Sequence, residues 1–303
     1  KNSLFFQSKA NSLIKSSYLD ICDYKSIYKK LNQIKPEIIF HLAAQPLISS
    51  SYDKPLDTFK INTLGTTNIL ECIKNINKIK TALMVTTNNI LGEKFYMNKK
   101  NDLLDPYRVS KLSAELITAS YCKSFFKNKK SIVTVRAGNI IGGGDWSKTR
   151  IVPDIIKAWQ NNKTIIIKNP DHIKQWQHVL DPLSGYLNLA EAIHNKNTEY
   201  NTYSFLPNNK ENKNVRKLIK EILKYLDKKN FIKINKNYNK IIQNKKNIYK
   251  KNTFNKNINF EPKYNFSKTI EKTMKWYIDF YNGISPLYLC NKEIEDYIKF
   301  KIK

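Results

Sequence analysis

Three short apolar runs constrain this chain more than any other feature of it. Glu37-Ile-Ile-Phe-His-Leu-Ala-Ala44, Thr81-Ala-Leu-Met-Val-Thr-Thr87 and Ser131-Ile-Val-Thr-Val-Arg-Ala137 carry apolar residues at consecutive positions. That is the pattern of strands covered on both faces. Between them lie two longer stretches, Asp53 to Asn75 and Tyr107 to Phe126, whose apolar residues recur at helical spacing. Leu56, Phe59, Leu64, Ile69 and Ile73 mark the first stripe, and Leu112, Leu116 and Ala119 the second. Strand, crossover helix and strand again imply a parallel sheet with helices on both faces.

The expected fold class is therefore α/β, a Rossmann-like doubly wound parallel sheet. After Gly142 the rhythm changes to loops with shorter helices (Val152 to Asn161, Asp181 to His194) and shorter strands (Thr164 to Lys168, Tyr200 to Leu206). These predict a smaller C-terminal substrate lobe. The division is 1–145 for the sheet domain and 146–303 mainly for the lobe, with some segments returning to the sheet. Thr269 to Tyr281 reads as a closing amphipathic helix, and Asn230 to Asn259 is dominated by Lys, Asn and Ile. No glycine precedes Gly65. Such folds open with a strand, a Gly-rich turn and a helix that together hold a pyrophosphate. The expectation is that these three are missing and that Asp20-Ile-Cys-Asp23 ends a later strand. Lys1 is not a natural start residue, so the sheet domain reads as N-terminally truncated.

The net charge of +28 raises nucleic acid as a partner. The charge is lysine spread along the chain, and only Arg108, Arg136, Arg150 and Arg216 supply the planar fork that base readers favour. Solvated lysine faces are the better reading, and no nucleic-acid partner is expected. No stretch is long and apolar enough to span a bilayer, so no membrane partner is expected either. Cys22, Cys72, Cys122 and Cys290 lie far apart without zinc spacing. They read as free thiols of a cytoplasmic protein, and no metal site is expected.

The chemistry concentrates where strands end. Tyr107-Arg-Val-Ser-Lys111 opens a helix after Asp105-Pro106, and four-residue spacing puts the Tyr and Lys side chains on one face. An ammonium beside a phenol favours phenolate and makes the tyrosine a usable base. Thr86-Thr87 ends the preceding strand, His41-Leu-Ala-Ala-Gln-Pro46 the one before, and Arg136-Ala-Gly-Asn-Ile-Ile-Gly-Gly-Gly-Asp-Trp146 the one after. All fall at carboxyl ends of strands, where ligands of such sheets bind.

These motifs, with Val152-Pro-Asp-Ile-Ile156 and Trp176-Gln-His-Val179, resemble the extended short-chain dehydrogenase/reductases of the nucleotide-sugar 4,6-dehydratase group, the CDP-glucose subgroup above all. The resemblance runs from about Ser17 to Gly283. It implies a lyase that uses NAD to oxidise C4 of a CDP-hexose, remove water across C5 and C6, and return hydride to C6, in deoxysugar biosynthesis. Tyr107 would be the base, Lys111 its partner and a ligand of the cofactor ribose, and Thr87 the residue at the 4-hydroxyl. Asp20 and Ile21 would face adenine, with Leu42, Ala43, Ala44 and Gln45 along the cofactor's middle. Asn139 would contact substrate, and Asp145, Trp146 and Arg150 would lie near the nucleotide. Trp146 reads equally as a cap on the core. His178 reads equally as a structural residue of a Trp-Gln-His-Val turn or a nucleotide contact, and His41 as a packed histidine. By analogy the two long helices would form a homodimer interface.

The chain departs from the group after Thr87. Asn88-Asn89 stand where the resemblance leads one to expect an acid and a second charged residue. An amide neither protonates a leaving hydroxide nor abstracts the C5 proton. Loss of each positioned acid–base group costs about two to four orders of magnitude in rate, unless Glu93, Lys94 or Lys99 substitutes. Epimerase or reductase chemistry, or a non-catalytic binding protein, are the alternatives this pair leaves open.

Overall fold

The computed structural model describes residues 3–88, 105–127, 129–194, 196–207, 212–227, 230–235 and 260–300. Two short helices, α1 (Leu4–Gln7) and α2 (Ala10–Leu13), precede α3 (Tyr24–Ile34). Strand β1 (Ile38–His41) leads through α4 (Ile48–Asp53) into a long helix. This comprises α5 (Pro55–Phe59), a π-helical turn over Lys60–Leu64, and α6 (Gly65–Asn75). Then come β2 (Thr81–Val85), α7 (Pro106–Tyr121) with a terminal π turn Cys122–Phe126, β3 (Ser131–Ala137) and β4 (Asn139–Ile141). The second half holds α8 (Ile151–Gln160), β5 (Ile165–Ile167), β6 (Ile173–His178), α9 (Leu180–Ile193) and β7 (Thr202–Phe205). It ends with β8 (Asn212–Asn214), α10 (Val215–Ile222), β9 (Ile232–Ile234), α11 (Phe266–Tyr281) and α12 (Pro286–Lys299).

The main sheet has the order β1-β2-β3-β7, all parallel. Alternation along its strands shows why both faces are covered. Ala82, Met84 and Ile132 pack with Ile69, Ile73, Cys122 and Phe126 of the helices on one side. Leu83, Val133 and Val135 pack with Tyr186, Leu189 and Ile193 of α9 on the other. A third core gathers α8, α10, α11 and α12 around Trp176, Trp276 and Tyr277. Beside it, β4, β6 and β8 form a small mixed sheet, and β5 pairs β9. Helix starts are capped from sequence: the side chains of Asp105, Asn265 and Ser285 accept the N–H of Arg108, Lys268 and Tyr288. No helix among the described residues is long and apolar enough to cross a membrane.

Three expectations change. Asp20 to Asp23 is a turn ahead of α3 and not a strand end, because no neighbouring strand pairs with it among the described residues. Trp176-Gln-His178 is not a turn but the inner part of β6, hydrogen-bonded to β4. The apolar stripes mark the buried faces only in part. The π turn changes the helical phase between Leu56 and Ile69, so Leu56 (79% exposed) and Leu64 point outward while Ile69 and Ile73 are buried. On α7 the buried face is Tyr107, Ser110, Lys111, Ala114, Glu115 and Thr118, while Leu116 is 62% exposed. That helix buries its polar side. Of Asn230 to Asn259, only β9 and its flanks lie within the described residues.

Gly144 adopts φ +74°, and a Cβ there would stand 2.5 Å from a terminal methyl of Leu4. Gly283 has φ +88° with nothing within 4 Å. Both lose about 1–2 kcal/mol to left-handed strain when replaced by alanine, but only Gly144→Ala also displaces Leu4. The urea midpoint of Gly144→Ala is expected below that of Gly283→Ala, and equal midpoints would count against the packing described.

Candidate active site

Tyr107 stands in the first turn of α7 and is buried. Its side chain is hydrogen-bonded to that of Thr87, two residues past the end of β2. Lys111, one turn on, is 7% exposed and donates from Nζ to the Val85 carbonyl at 3.1 Å. Thus Thr87, Tyr107 and Lys111 meet where β2 ends. Burial pushes the Lys111 ammonium down to about 8 and draws Tyr107 above its ordinary value. The leading opposing pulls on Tyr107 come from the Thr87 hydrogen bond and the Arg150 guanidinium, a contribution the sequence reading assigned to Lys111.

Asn88 follows at once. Its N–H donates to the Ala137 carbonyl at 3.3 Å, and its Nδ2 donates to Oε1 of Gln175 in β6 at 3.0 Å. Gln175 and Gln177 are both buried, and Nε2 of the first and both polar atoms of the second lack a protein partner. Asn89, Glu93, Lys94 and Lys99 lie outside the described residues. Asn139 opens β4 beside Trp176 of β6, half-buried.

The strip from Asp20 to Gln45 is organised by the long helix beside it. Ile21 packs where Gly65 has no side chain, and a Cβ on Gly65 would stand 2.5 Å from Ile21 Cδ1. Asn68 Nδ2 donates to the Ile21 carbonyl at 2.9 Å, and Asp20 caps the Cys22 N–H at 2.9 Å. His41 is buried against the Thr66 hydroxyl at 3.1 Å, and its burial lowers it to about 4, so it is a packed, neutral ring. Leu42 (51% exposed) and Ala43 are open, Ala44 is half-buried, and Gln45 spends its side chain on Thr58 and the Leu47 N–H.

The sequence reading missed Asn62. It lies in the π turn, almost wholly buried. Its side chain accepts from the Gln45 N–H at 2.8 Å and donates to the Gln45 carbonyl at 3.1 Å and to Ser110 Oγ at 2.9 Å. It ties the Leu42–Gln45 segment to the residue preceding Lys111. The available signal was a polar residue between Phe59 and Ile69 on a helix otherwise expected to bury apolar groups. Glu115 and Gln175 were also missed.

Some candidates serve structure. Trp146 sits in an aromatic cluster with Trp276, Tyr277, Phe280 and Tyr281, its core-capping alternative. His178 is fully buried, with Nε2 3.2 Å from Glu293 of α12 and Nδ1 accepting from the Leu180 N–H at 3.4 Å. Asp145 braces its loop through the Ser147 N–H at 2.9 Å and the Tyr277 hydroxyl, and holds Arg150 at 3.3 Å. Arg150 remains partly exposed and acts on Tyr107. Among the described residues no His, Cys, Asp and Glu group could hold a metal, and the four cysteines are free thiols.

The GDP-mannose 4,6-dehydratase family matches residues 4–273. The chain belongs to that family. A CDP-glucose 4,6-dehydratase of Salmonella typhimurium is 32% identical over 315 residues, covering 98% of this chain and 86% of the relative. A UDP-glucose 4-epimerase of Mycoplasma pneumoniae is 24% identical, covering 56% of this chain and 55% of the relative. Among solved structures, the dTDP-glucose 4,6-dehydratase of Bacillus anthracis in complex with NAD superposes with a TM-score of 0.64 at 20% identity, covering 89% of this chain and 81% of that one. The UDP-glucose 4-epimerase of Thermotoga maritima with UDP-glucose gives 0.68 at 18%, covering 87% and 84%. These likenesses establish the doubly wound α/β fold of this dehydratase-family chain.

Two outcomes follow from the geometry. Asn62→Ala leaves the Gln45 backbone groups and Ser110 without their partner, and the expected loss is about 2–3 kcal/mol in urea unfolding. Lys111 is protonated up to about pH 8 in the folded chain but to higher pH when unfolded. Between those limits the unfolded chain binds the extra proton, so folding gains as pH rises through that window. The gain should be shallower in Lys111→Met, read as urea midpoints from pH 8 to 10; an unchanged slope would refute a buried, depressed Lys111.

Proposed function

We propose that this protein is an NAD-dependent nucleotide-sugar 4,6-dehydratase-like enzyme, with CDP-glucose as its substrate. The observation that carries the reading is the meeting of Tyr107, Thr87 and Lys111 at the end of β2. The residues would fit a dinucleotide: Leu42 and Ala43 are exposed just past β1, Asn68 holds the Ile21 backbone, and Lys111 reaches the end of β2. Asp20 and Ile21 would meet the adenine, Leu42 to Gln45 the middle of the molecule, and Lys111 its nicotinamide ribose. When bound, NAD supplies the acceptor and later donor of hydride. The residues would do the proton work: Tyr107 would take the proton of the sugar 4-hydroxyl and Thr87 orient that hydroxyl, while the Thr87 hydrogen bond and the Arg150 guanidinium favour the phenolate. Arg108 and Arg150 lie near Tyr107, paired with Asp105 and Asp145, and would offer guanidinium donors to a diphosphate. The 1–145 half would hold the cofactor, and the 146–303 half, with Asn139, Asp145 and Arg150 at its margin, the nucleotide sugar. The free thiols fit a cytoplasmic setting.

One observation favours a second reading. Asn88 is an amide hydrogen-bonded to another amide, Gln175, at the position expected for the acid. Neither group can protonate a leaving hydroxide. A site with oxidation at C4 but little elimination is an epimerase or reductase, or an impaired paralogue.

Incubation with NAD and CDP-glucose separates these. The expected result is slow loss of one water, a rise in that rate of about a hundredfold or more in Asn88→Asp, and loss of both steps by a similar factor in Tyr107→Phe. Exchange at C4 without water loss would favour the second reading, and no turnover of either kind by folded protein would leave only binding. We also propose a homodimer through α5, the π turn, α6 and α7, whose Leu56, Leu64 and Leu116 are exposed. Light scattering should give twice the monomer mass, falling to one in Leu116→Lys; a monomeric wild type would end that proposal.

A further inference from the structure

Glu115 lies one turn beyond Lys111 on the buried face of α7 and is 5% exposed. Its Oε1 accepts from the Thr86 hydroxyl at 2.7 Å and from Arg136 Nε at 2.7 Å, and its Oε2 accepts from the Arg136 terminal nitrogen. One carboxylate thus joins α7, the end of β2 and the inside of β3. Both strands run directly into the site. Thr86 is followed by Thr87, which meets Tyr107, and Arg136 precedes Gly138 and Asn139.

A buried ion pair is a poor way to hold a helix to a sheet, because desolvation consumes most of what the two charges gain, and apolar pairs of similar volume do as well or better. A carboxylate here does two things that an apolar side chain cannot. It fixes the directions of two donors on two strands, and it sets a negative charge within one turn of Lys111.

We propose that Glu115, held by Arg136, is a positioning residue of the active site: it sets α7 in register on the ends of β2 and β3 and keeps the Lys111 ammonium charged. The proposal rests on the reading of Tyr107 as base and deepens it. Lys111 is faced by Glu115 of its own helix and by His41 at the end of β1. Glu115 is faced by Arg136, Thr86 and the Tyr200 phenol ahead of β7. His41 is held neutral by burial, so Glu115 is the group that raises Lys111 against its own desolvation. Its removal also leaves Arg136 as an unbalanced cation on the same buried face. Both changes favour loss of the Lys111 proton, so whatever depends on that proton fails at lower pH.

The test compares wild type with Glu115→Gln, and with the double variant Glu115→Gln/Arg136→Gln, which removes the unpaired buried cation and so guards against misfolding. The first readout is the 13Cε signal of Lys111 in lysine-labelled protein, assigned through Lys111→Arg and titrated with pH. Its midpoint is expected to fall by about one unit or more in Glu115→Gln. The second readout is the alkaline limb of kcat/KM for oxidation of CDP-glucose, expected to move down by the same amount with KM changed only a few-fold. A folded variant whose Lys111 midpoint and alkaline limb stay in place overturns the proposal and leaves Glu115 a purely structural residue. A wild type without redox activity whose Lys111 midpoint still shifts with Glu115 overturns the catalytic reading while upholding the electrostatic coupling.

Discussion

The structure turns on the burial of polar groups beneath α7. A helix packed on a parallel sheet ordinarily presents its apolar stripe. This one presents Tyr107, Ser110, Lys111, Glu115 and Thr118, and each must find a partner, because an unpaired buried polar group costs more than the bond it could have made. The partners come from strand ends and neighbouring helices: Val85 for Lys111, Thr87 for Tyr107, Arg136 and Thr86 for Glu115, Asn62 for Ser110. The side chain of Thr118 turns back to the Ala114 carbonyl. The helix is therefore held by directional bonds whose geometry fixes where the phenol and the ammonium stand.

The same demand explains the break in the helix before it. A regular helix from Pro55 to Asn75 would keep one phase throughout. The π turn Lys60–Leu64 changes that phase, so that Asn62 faces inward to Gln45 and Ser110 while Ile69 and Ile73 still meet the sheet. Gly65 follows directly and makes room for Ile21. Three consecutive demands, a polar tie at Asn62, a close approach at Gly65 and an apolar face from Ile69, are met within about two turns. The outward Leu56 and Leu64 are the apolar residues that this phase change leaves over.

The strands and their parallel order were legible because apolar residues dominate β2 and β3 on both faces, a pattern with few other uses. Tyr107 and Lys111 were legible because four-residue spacing has a single geometric meaning on a helix. The buried face of α7 was not, since hydrophobic periodicity assumes that apolar groups face inward, and this helix reverses the rule to hold charges. One signal of the reversal was present: Arg136 stands inside the apolar run Ser131–Ala137, and a charge on a covered strand requires a counter-charge nearby. Glu115 was that counter-charge. Trp176 to His178 read as a turn from its place after the loops that follow Gly142. They form β6 because β4 and β8 pair with it from both sides, a non-local fact.

The two halves of the expected chemistry are built from different materials. Around Tyr107 the groups are titratable, and burial, hydroxyl and guanidinium act against one another on the phenol. Toward β6 the groups are amides: Asn88, Gln175 and Gln177. Amides fix orientation and discriminate among hydroxyls, and they neither gain nor lose protons near neutrality. Among the described residues, a sugar held between these sides would meet a proton acceptor on one flank and hydrogen-bonding amides on the other. Oxidation and reduction at C4 need a proton-transferring group on one flank alone, whereas departure of a hydroxide at C6 needs one on the second. The described residues would meet the first demand through Tyr107. For the second it offers bonds that Gln175 and Gln177 have left unmade, which a substrate hydroxyl can fill but which cannot replace an acid.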